Sequence, residues 1–306
     1  MIRQSKSNSE VIFPYLIGHD LLSEKPPLPQ RYVIDLHPRE VLAASKYAIP
    51  LNRIKEIVLP TRQANAKKEE DRNSEDLTNN PTAKVNRHHQ NFMAKWWWLS
   101  YPRPELIKKI TSLPRYAVCS QVTKRPIFEF VHPAIRPNAA LIVFPLPDDY
   151  SFGILQSGIH WSWFVARCST LKGDFRYTSN TVFDSFPFPQ SPTLAQAKKV
   201  AAAAVKLRQL RRKVMTENQW SLRELYRTLD LPGNNPLRKA QAELDAAVRE
   251  AYGMKAKDDP LKFLLELNFE VADRETKSLP VVAPGLPPVV KNASEFITDD
   301  CVRMPD

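Results

Sequence analysis

Glycine is scarce in this chain: seven residues among 306, against 27 prolines. So few glycines argue against a Gly-rich loop that cradles phosphates, and against a doubly wound nucleotide fold built on one. Cysteine is sparser still. Cys119, Cys168 and Cys301 are odd in number and far apart, which fits reduced thiols in a cytoplasmic chain rather than a disulfide frame or a metal site. Among the six histidines only His88 and His89 are adjacent, with no cysteine near them, so metal-ligand spacing is missing. No apolar run approaches the roughly 20 residues that span a bilayer, and Met1-Ile2-Arg3-Gln4 does not open like a signal peptide. No serine lies in a nucleophile-elbow pattern, and no His-Glu pair has metalloprotease spacing.

What is present is positive charge. The formal net charge is +11, and a polyanionic partner is the natural reading, because Lys and Arg that displace counterions from phosphates drive nucleic-acid association. The same excess would also serve solubility, or the docking of an acidic protein. Charge by itself leaves these open.

The pattern predicts an α+β fold in which a mixed strand and helix region precedes a small all-α one. Residues 1–10 are polar and expected to be a disordered start. Residues 11–190 read as one recognition domain. Within it, Arg31 to Leu36 suggests a buried strand, and Pro38 to Leu59 has helical spacing divided by Pro50. Residues 60–91 are so charged that we expect a polar excursion or partly disordered loop. The run Trp96-Trp97-Trp98 reads as packing rather than base stacking. Glu105 to Leu113 is helical, and Tyr116 to Val122, Ile127 to Val131 and Ala140 to Phe144 are strands. Asp149 to Leu155 reads as strand or turn, followed by a helix from Gln156 to about Arg167 with Ser157 as N-cap. On that helix Ile159, Trp163 and Phe164 face inward, with His160 and Arg167 nearer the rim. Phe186-Pro187-Phe188-Pro189 should dock as an extended strap with its rings buried. Residues 191–268 form a helical domain, and 269–306 an extended or disordered tail.

Two places concentrate cations. The turn Thr123-Lys124-Arg125-Pro126, with Arg136 and Asn138 after the next strand and Arg176 in a later loop, puts groove-reading side chains on loops. Arg can pair with guanine and Asn with adenine through two hydrogen bonds. Lys124, Arg125, Arg136, Asn138 and Arg176 are therefore candidates for DNA contact, although ordinary solvated loop charges look the same in sequence. The second place is the helix from Leu194 to about Thr216. Its apolar stripe (Ala197, Val200, Ala204, Leu207, Leu210, Val214) leaves Lys198, Lys199, Lys206, Arg208, Arg212 and Lys213 on the other face. No acid lies between Asp184 and Glu217, so the face has no neutralising partner one turn away. Lys199, Lys206, Arg212 and Lys213 are candidates for phosphate contact.

The segment Phe152 to Ser157 with His160 and Trp163, followed by Arg176-Tyr177, Val182-Phe183 and Phe186 to Pro189, resembles the target-recognition region of MmeI-like (type IIL) restriction-modification enzymes and related adenine-specific DNA methyltransferases. Pro14 to Leu22, Arg31 to Leu36, Trp96 to Leu99 and Arg115 to Phe128 match further pieces in the expected order. The resemblance implies a site-specific recognition module for double-stranded DNA, with base-reading positions upstream of Phe152. It also implies catalysis in another domain or subunit, where S-adenosylmethionine would bind and an Asn-Pro-Pro-Tyr-type tetrad would receive a flipped adenine. The nearest matches here, Asn79-Asn80-Pro81-Thr82 and Asn234-Asn235-Pro236-Leu237, lack the second proline and the aromatic residue and read as turns. We therefore expect no catalytic, cofactor or metal residues in this chain. It would be a split gene product, a remnant, or one half of a two-chain enzyme, with or without a nuclease and with no membrane partner. The alternative is a non-catalytic subunit whose basic helices dock an acidic protein.

Overall fold

The computed structural model describes residues 1–171 and 174–305. In chain order its main elements begin with β1 (Ile12–Leu16), α1 (Gly18–Ser23), β2 (Arg31–Ile34), α2 (Val41–Ala44), α3 (Ala48–Asn79), α4 (His88–Ala94) and α5 (Pro104–Thr111). The strands β3 (Tyr116–Ser120), β4 (Glu129–Val131), β5 (Arg136–Pro137) and β6 (Leu141–Phe144) come next. They lead to α6 (Asp149–Gln156), α7 (Gly158–Arg167) and the hairpin β7 (Ser169–Leu171) and β8 (Asp174–Arg176). Helices α8 (Leu194–Asn218), α9 (Leu222–Arg227), α10 (Pro236–Tyr252) and α11 (Pro260–Thr276) follow. The fold is α+β, as the pattern predicts. Among the described residues no helix is long and apolar enough to cross a membrane.

Internal contacts divide the chain into two units, one of Met1–Pro14 with Arg31–Lys108, the other of Tyr15–Gln30 with the chain from Lys109 on. The first unit corrects the expected polar excursion at 60–91. Helix α3, 32 residues long, runs into it as far as Asn79, and side chains rather than apolar periodicity hold this part. The Glu69 carboxylate accepts from the backbone N–H groups of His89 and Gln90 at 3.0 Å, at the start of α4. Arg62 donates to the carbonyls of Phe92 and Trp98 (3.1 and 2.8 Å), and Asn73 exchanges two hydrogen bonds with the backbone of Asn86. Trp97 is buried, and the indole N–H groups of Trp97 and Trp98 both donate to the Arg39 carbonyl at 2.8 Å, so the tryptophans pack. The start of the chain is short helical turns in which Asn8 is buried, with its amide on the Met1 carbonyl.

The second unit is built on a three-stranded sheet of order β4-β3-β6, antiparallel throughout. Helix α6 lies where strand or turn was expected. All eight of its residues are buried, and Asp148 caps it by accepting from the Ser151 N–H at 2.7 Å. Gly153 explains the close approach of α8. A Cβ there would stand 2.7 Å from Val200 Cγ1 and 3.2 Å from Ala204 Cβ, so the bare backbone and the alanine stripe fit against each other. Ser157 caps α7 through the His160 N–H, as its position predicts, but His160 is fully buried rather than near the rim. Phe186 and Phe188 are buried, as expected of the strap.

The boundary expected at 190–191 does not separate two cores. Buried side chains from Ala117 to Phe188 and from Ala197 to Leu264 form one cluster. The tail is likewise no loose end. Helix α11 continues to Thr276, Phe296 is buried, and Val302 pairs in parallel beside Val131, its N–H donating to the Phe130 carbonyl at 2.7 Å. A backbone segment laid along β4 in this way covers a sheet edge.

Candidate nucleic-acid interface

Beyond the end of β3 the chain makes a tight basic turn. The Thr123 hydroxyl donates to the Arg125 carbonyl (2.6 Å) and accepts from the Arg125 N–H (3.2 Å), closing the loop before Pro126. Strand β8 runs alongside. Val122 bridges Arg176 in antiparallel fashion, the Tyr177 N–H donates to the Gln121 carbonyl at 2.7 Å, and the Thr123 N–H donates to the Phe175 carbonyl at 3.0 Å. These bonds bring Arg176 onto a segment adjoining Lys124 and Arg125, which lie about fifty residues earlier in sequence. Lys124 is exposed, and Arg125 and Arg176 are half-buried. Among the described residues, none of the three is in a salt bridge.

Trp161 of α7 completes the patch from the side. Its indole N–H donates to the Lys124 carbonyl at 3.4 Å, and the Arg125 guanidinium lies 4.8 Å from the ring centroid. Beneath, Asp245 of α10 accepts from the Gly158 N–H (2.7 Å) and the Gln241 amide (2.9 Å). Burial raises the Asp245 pKa, opposed by the hydrogen bonds from Gly158 and Gln241 and, last, by the charge of Arg125. His160 is held from below by Tyr177, with Nε2 and Oη 3.0 Å apart, and burial lowers its pKa to about 3.

Arg136 and Asn138 stand elsewhere. Arg136 is on β5, which pairs in parallel with β1 as a separate sheet, opposite Tyr15. The Asn138 side chain is already engaged, donating to the Tyr15 hydroxyl (2.7 Å) and accepting from the Ala140 N–H (2.8 Å).

Most α8 cations have partners brought from distant segments: Lys206 meets Glu243 of α10 at 2.5 Å, Lys199 meets Glu250, and Lys198 meets Glu295 at 3.0 Å. Lys213 meets Glu217, one turn on, at 3.9 Å, so the face does have one neutralising partner at helical spacing. Arg212 binds Asp300 from the tail. Arg208, expected on the solvated face, is buried. With Arg115 it forms a cluster around two carboxylates. Arg115 Nη2 lies 2.7 Å from Asp149 and its Nη1 3.0 Å from Asp300, while Arg208 binds Asp149 and, through Nε, Asp300 at 2.7 Å. Burial pulls Arg115 down to about 10, and Asp149 opposes it. Arg211 is buried too, donating to the Phe128 carbonyl at 2.9 Å and pairing with Glu129. One signal was available: Ala197, Ala201, Ala204, Arg208 and Arg211 recur at spacings of four and three, the inward rhythm of a helix.

The end of α8, residues 25–28 and residues 300–303 also enclose a groove of about 580 Å³ that includes Arg211, Arg212 and Trp220. Its walls hold the carboxylates of Glu129 and Asp300 that pair with those arginines. Among the described residues no group of three His, Cys, Asp or Glu is placed to hold a metal ion.

The segment that carries the basic turn, Trp161 and Arg176 also decides what the chain resembles. Residues 116–190 match the target recognition domain of MmeI. The resemblance stated on the pieces from Pro14 to Pro189 is thus borne out, with the family match covering those from β3 to Pro189. DNA methyltransferase A of Bacillus subtilis (strain 168) is 31% identical over 143 residues, which is 46% of this chain and 15% of that protein. The solved structure of the Type IIL restriction-modification enzyme MmeI in complex with DNA matches 89% of this chain and 32% of its own, with a TM-score of 0.63 at 19% identity. At that identity the likeness is one of fold. The chain spans about a third of the MmeI chain, and its match to the methyltransferase covers a smaller share still.

Proposed function

We propose that this chain is the DNA-recognition portion of a site-specific adenine methyltransferase or restriction-modification enzyme of the MmeI kind. The observation that carries the reading is the cluster of Lys124, Arg125 and Arg176, without salt-bridge partners among the described residues, inside the segment that matches a target recognition domain. A guanidinium can meet guanine O6 and N7 with two hydrogen bonds, whereas a lysine positions the protein on phosphates. Lys199, Lys206 and Lys213 would add backbone contacts. Their exposed salt bridges are weak, so a phosphate can replace a carboxylate at little cost. Arg212 and Asn138 are held within the fold and would contribute least. The chemistry would belong to another domain or subunit that binds S-adenosylmethionine and receives the adenine once it leaves the stack.

Selection from a random duplex pool at several salt concentrations tests this. Enrichment of a defined sequence, with affinity falling steeply as salt rises, is the expected result. Equal affinity for every sequence would remove the specificity, and no binding at low salt would remove the reading. Titration of this chain with S-adenosylmethionine should show no saturable binding; saturation would move the cofactor site into it.

A further inference from the structure

The geometry points to Trp161 as a positioning residue that fixes the orientation of Arg125, so that base discrimination by the turn depends on an aromatic ring outside it. The inference rests on the DNA-recognition reading above. Large aromatic side chains rarely lie open without a reason. On α7, Ile159, Trp163 and Phe164 fill the core, while Trp161, two residues from each of Ile159 and Trp163, turns away and remains 38% exposed. Core packing therefore does not account for it.

Its indole hydrogen bond and its cation–π contact both fall on the basic turn. The indole N–H reaches the Lys124 carbonyl, and the ring lies under the Arg125 guanidinium. On the other side the turn is held by the bridge of Val122 to Arg176 and closed from within by Thr123. Backbone, hydroxyl and ring thus constrain one short loop. An arginine on a loose turn can neutralise a phosphate from many rotamers. Pairing with a base edge needs the planar fork at one angle, and stacking on an aromatic face supplies that orientation before DNA arrives.

The ring and the charge therefore predict different losses. Trp161→Ala leaves every cation in place, so the salt dependence of binding stays as it was. What falls is the ratio of affinity for the selected duplex to affinity for random duplex, on the order of 5- to 10-fold, within the range of one base contact. Trp161→Phe keeps a face for the guanidinium and retains most of the ratio. Thr123→Val, which opens the turn by another route, lowers the ratio as Trp161→Ala does.

The experiment is salt-titrated binding of the full chain and these variants to the selected duplex and to a random one, with urea unfolding midpoints measured alongside. A lowered ratio with an unchanged salt slope and midpoint supports the inference. An unchanged ratio in Trp161→Ala overturns it, as does a loss that is equal on both duplexes. If the unsubstituted chain selects no sequence, the DNA-recognition reading itself has failed, a result separate from either.

Discussion

The turn at residues 123–126 and helix α8 are both rich in lysine and arginine, yet their charges meet different company. On α8 the cations face carboxylates brought by α10 and the tail: Glu243, Glu250, Glu295 and Asp300. Two of its arginines are buried as part of the core. At the turn, Lys124 and Arg125 stand with Arg176 across a backbone bridge, and none of the three has a salt-bridge partner among the described residues. A run of basic residues is therefore not yet a binding surface. Charges that close ion pairs within the fold hold it together, and those left without them are available to a phosphate or a base.

The largest effect is expected inside the buried cluster. Asp149→Asn should leave the guanidinium groups of Arg115 and Arg208 short of a counter-charge and cost about 3–5 kcal/mol, read from urea unfolding. A near-neutral result would mean that these arginines are not structural.

The next effect is in pH. His160 lies under the outward patch against Tyr177, and burial lowers its pKa from 6.5 to about 3. The folded protein therefore prefers the neutral ring. Stability from this group is full above about pH 6.5 and is lost as pH falls from there toward 3, because the unfolded chain binds the proton first. The loss should reach about 2 kcal/mol by pH 5. His160→Gln should flatten the unfolding free energy between pH 7 and 5; an unchanged slope would place the titration elsewhere.

Smaller effects compare the two regions as binding surfaces. Alanine at Lys124, Arg125 or Arg176 should weaken binding to random duplex and reduce the slope of log affinity against log salt by about 0.9 for each lost phosphate contact. Alanine at Lys199 or Lys206 should change that slope by less. Equal changes in the two regions would mean that the turn and α8 present their charges to DNA alike. Smallest of all, Glu243→Gln, which releases Lys206 from its ion pair, should leave the urea midpoint unmoved and raise random-duplex affinity slightly. A large loss of stability would mean that this exposed pair matters to the fold.

Local rules made much of the architecture legible in the sequence. Apolar runs gave the three strands around the turn, and Ser157 marked the start of α7. The aromatic sequence from Phe152 to Pro189 carried the family resemblance. The first turns of α3 follow the helical spacing up to Leu59, but its second half escaped that reading, because its order comes from Arg62, Glu69 and Asn73 bonding to backbone 13 to 36 residues away, which leaves no apolar rhythm.

By itself the sequence determined how many cations there are and which helices and strands present them, since capping and periodicity act within a few residues. Only the tertiary structure decided which cations have partners. Asp300 reaches Arg208 across 92 residues of chain, and Trp161 reaches the turn across 37. Electrostatic pairing depends on distance through space, and spacing along the chain cannot supply that.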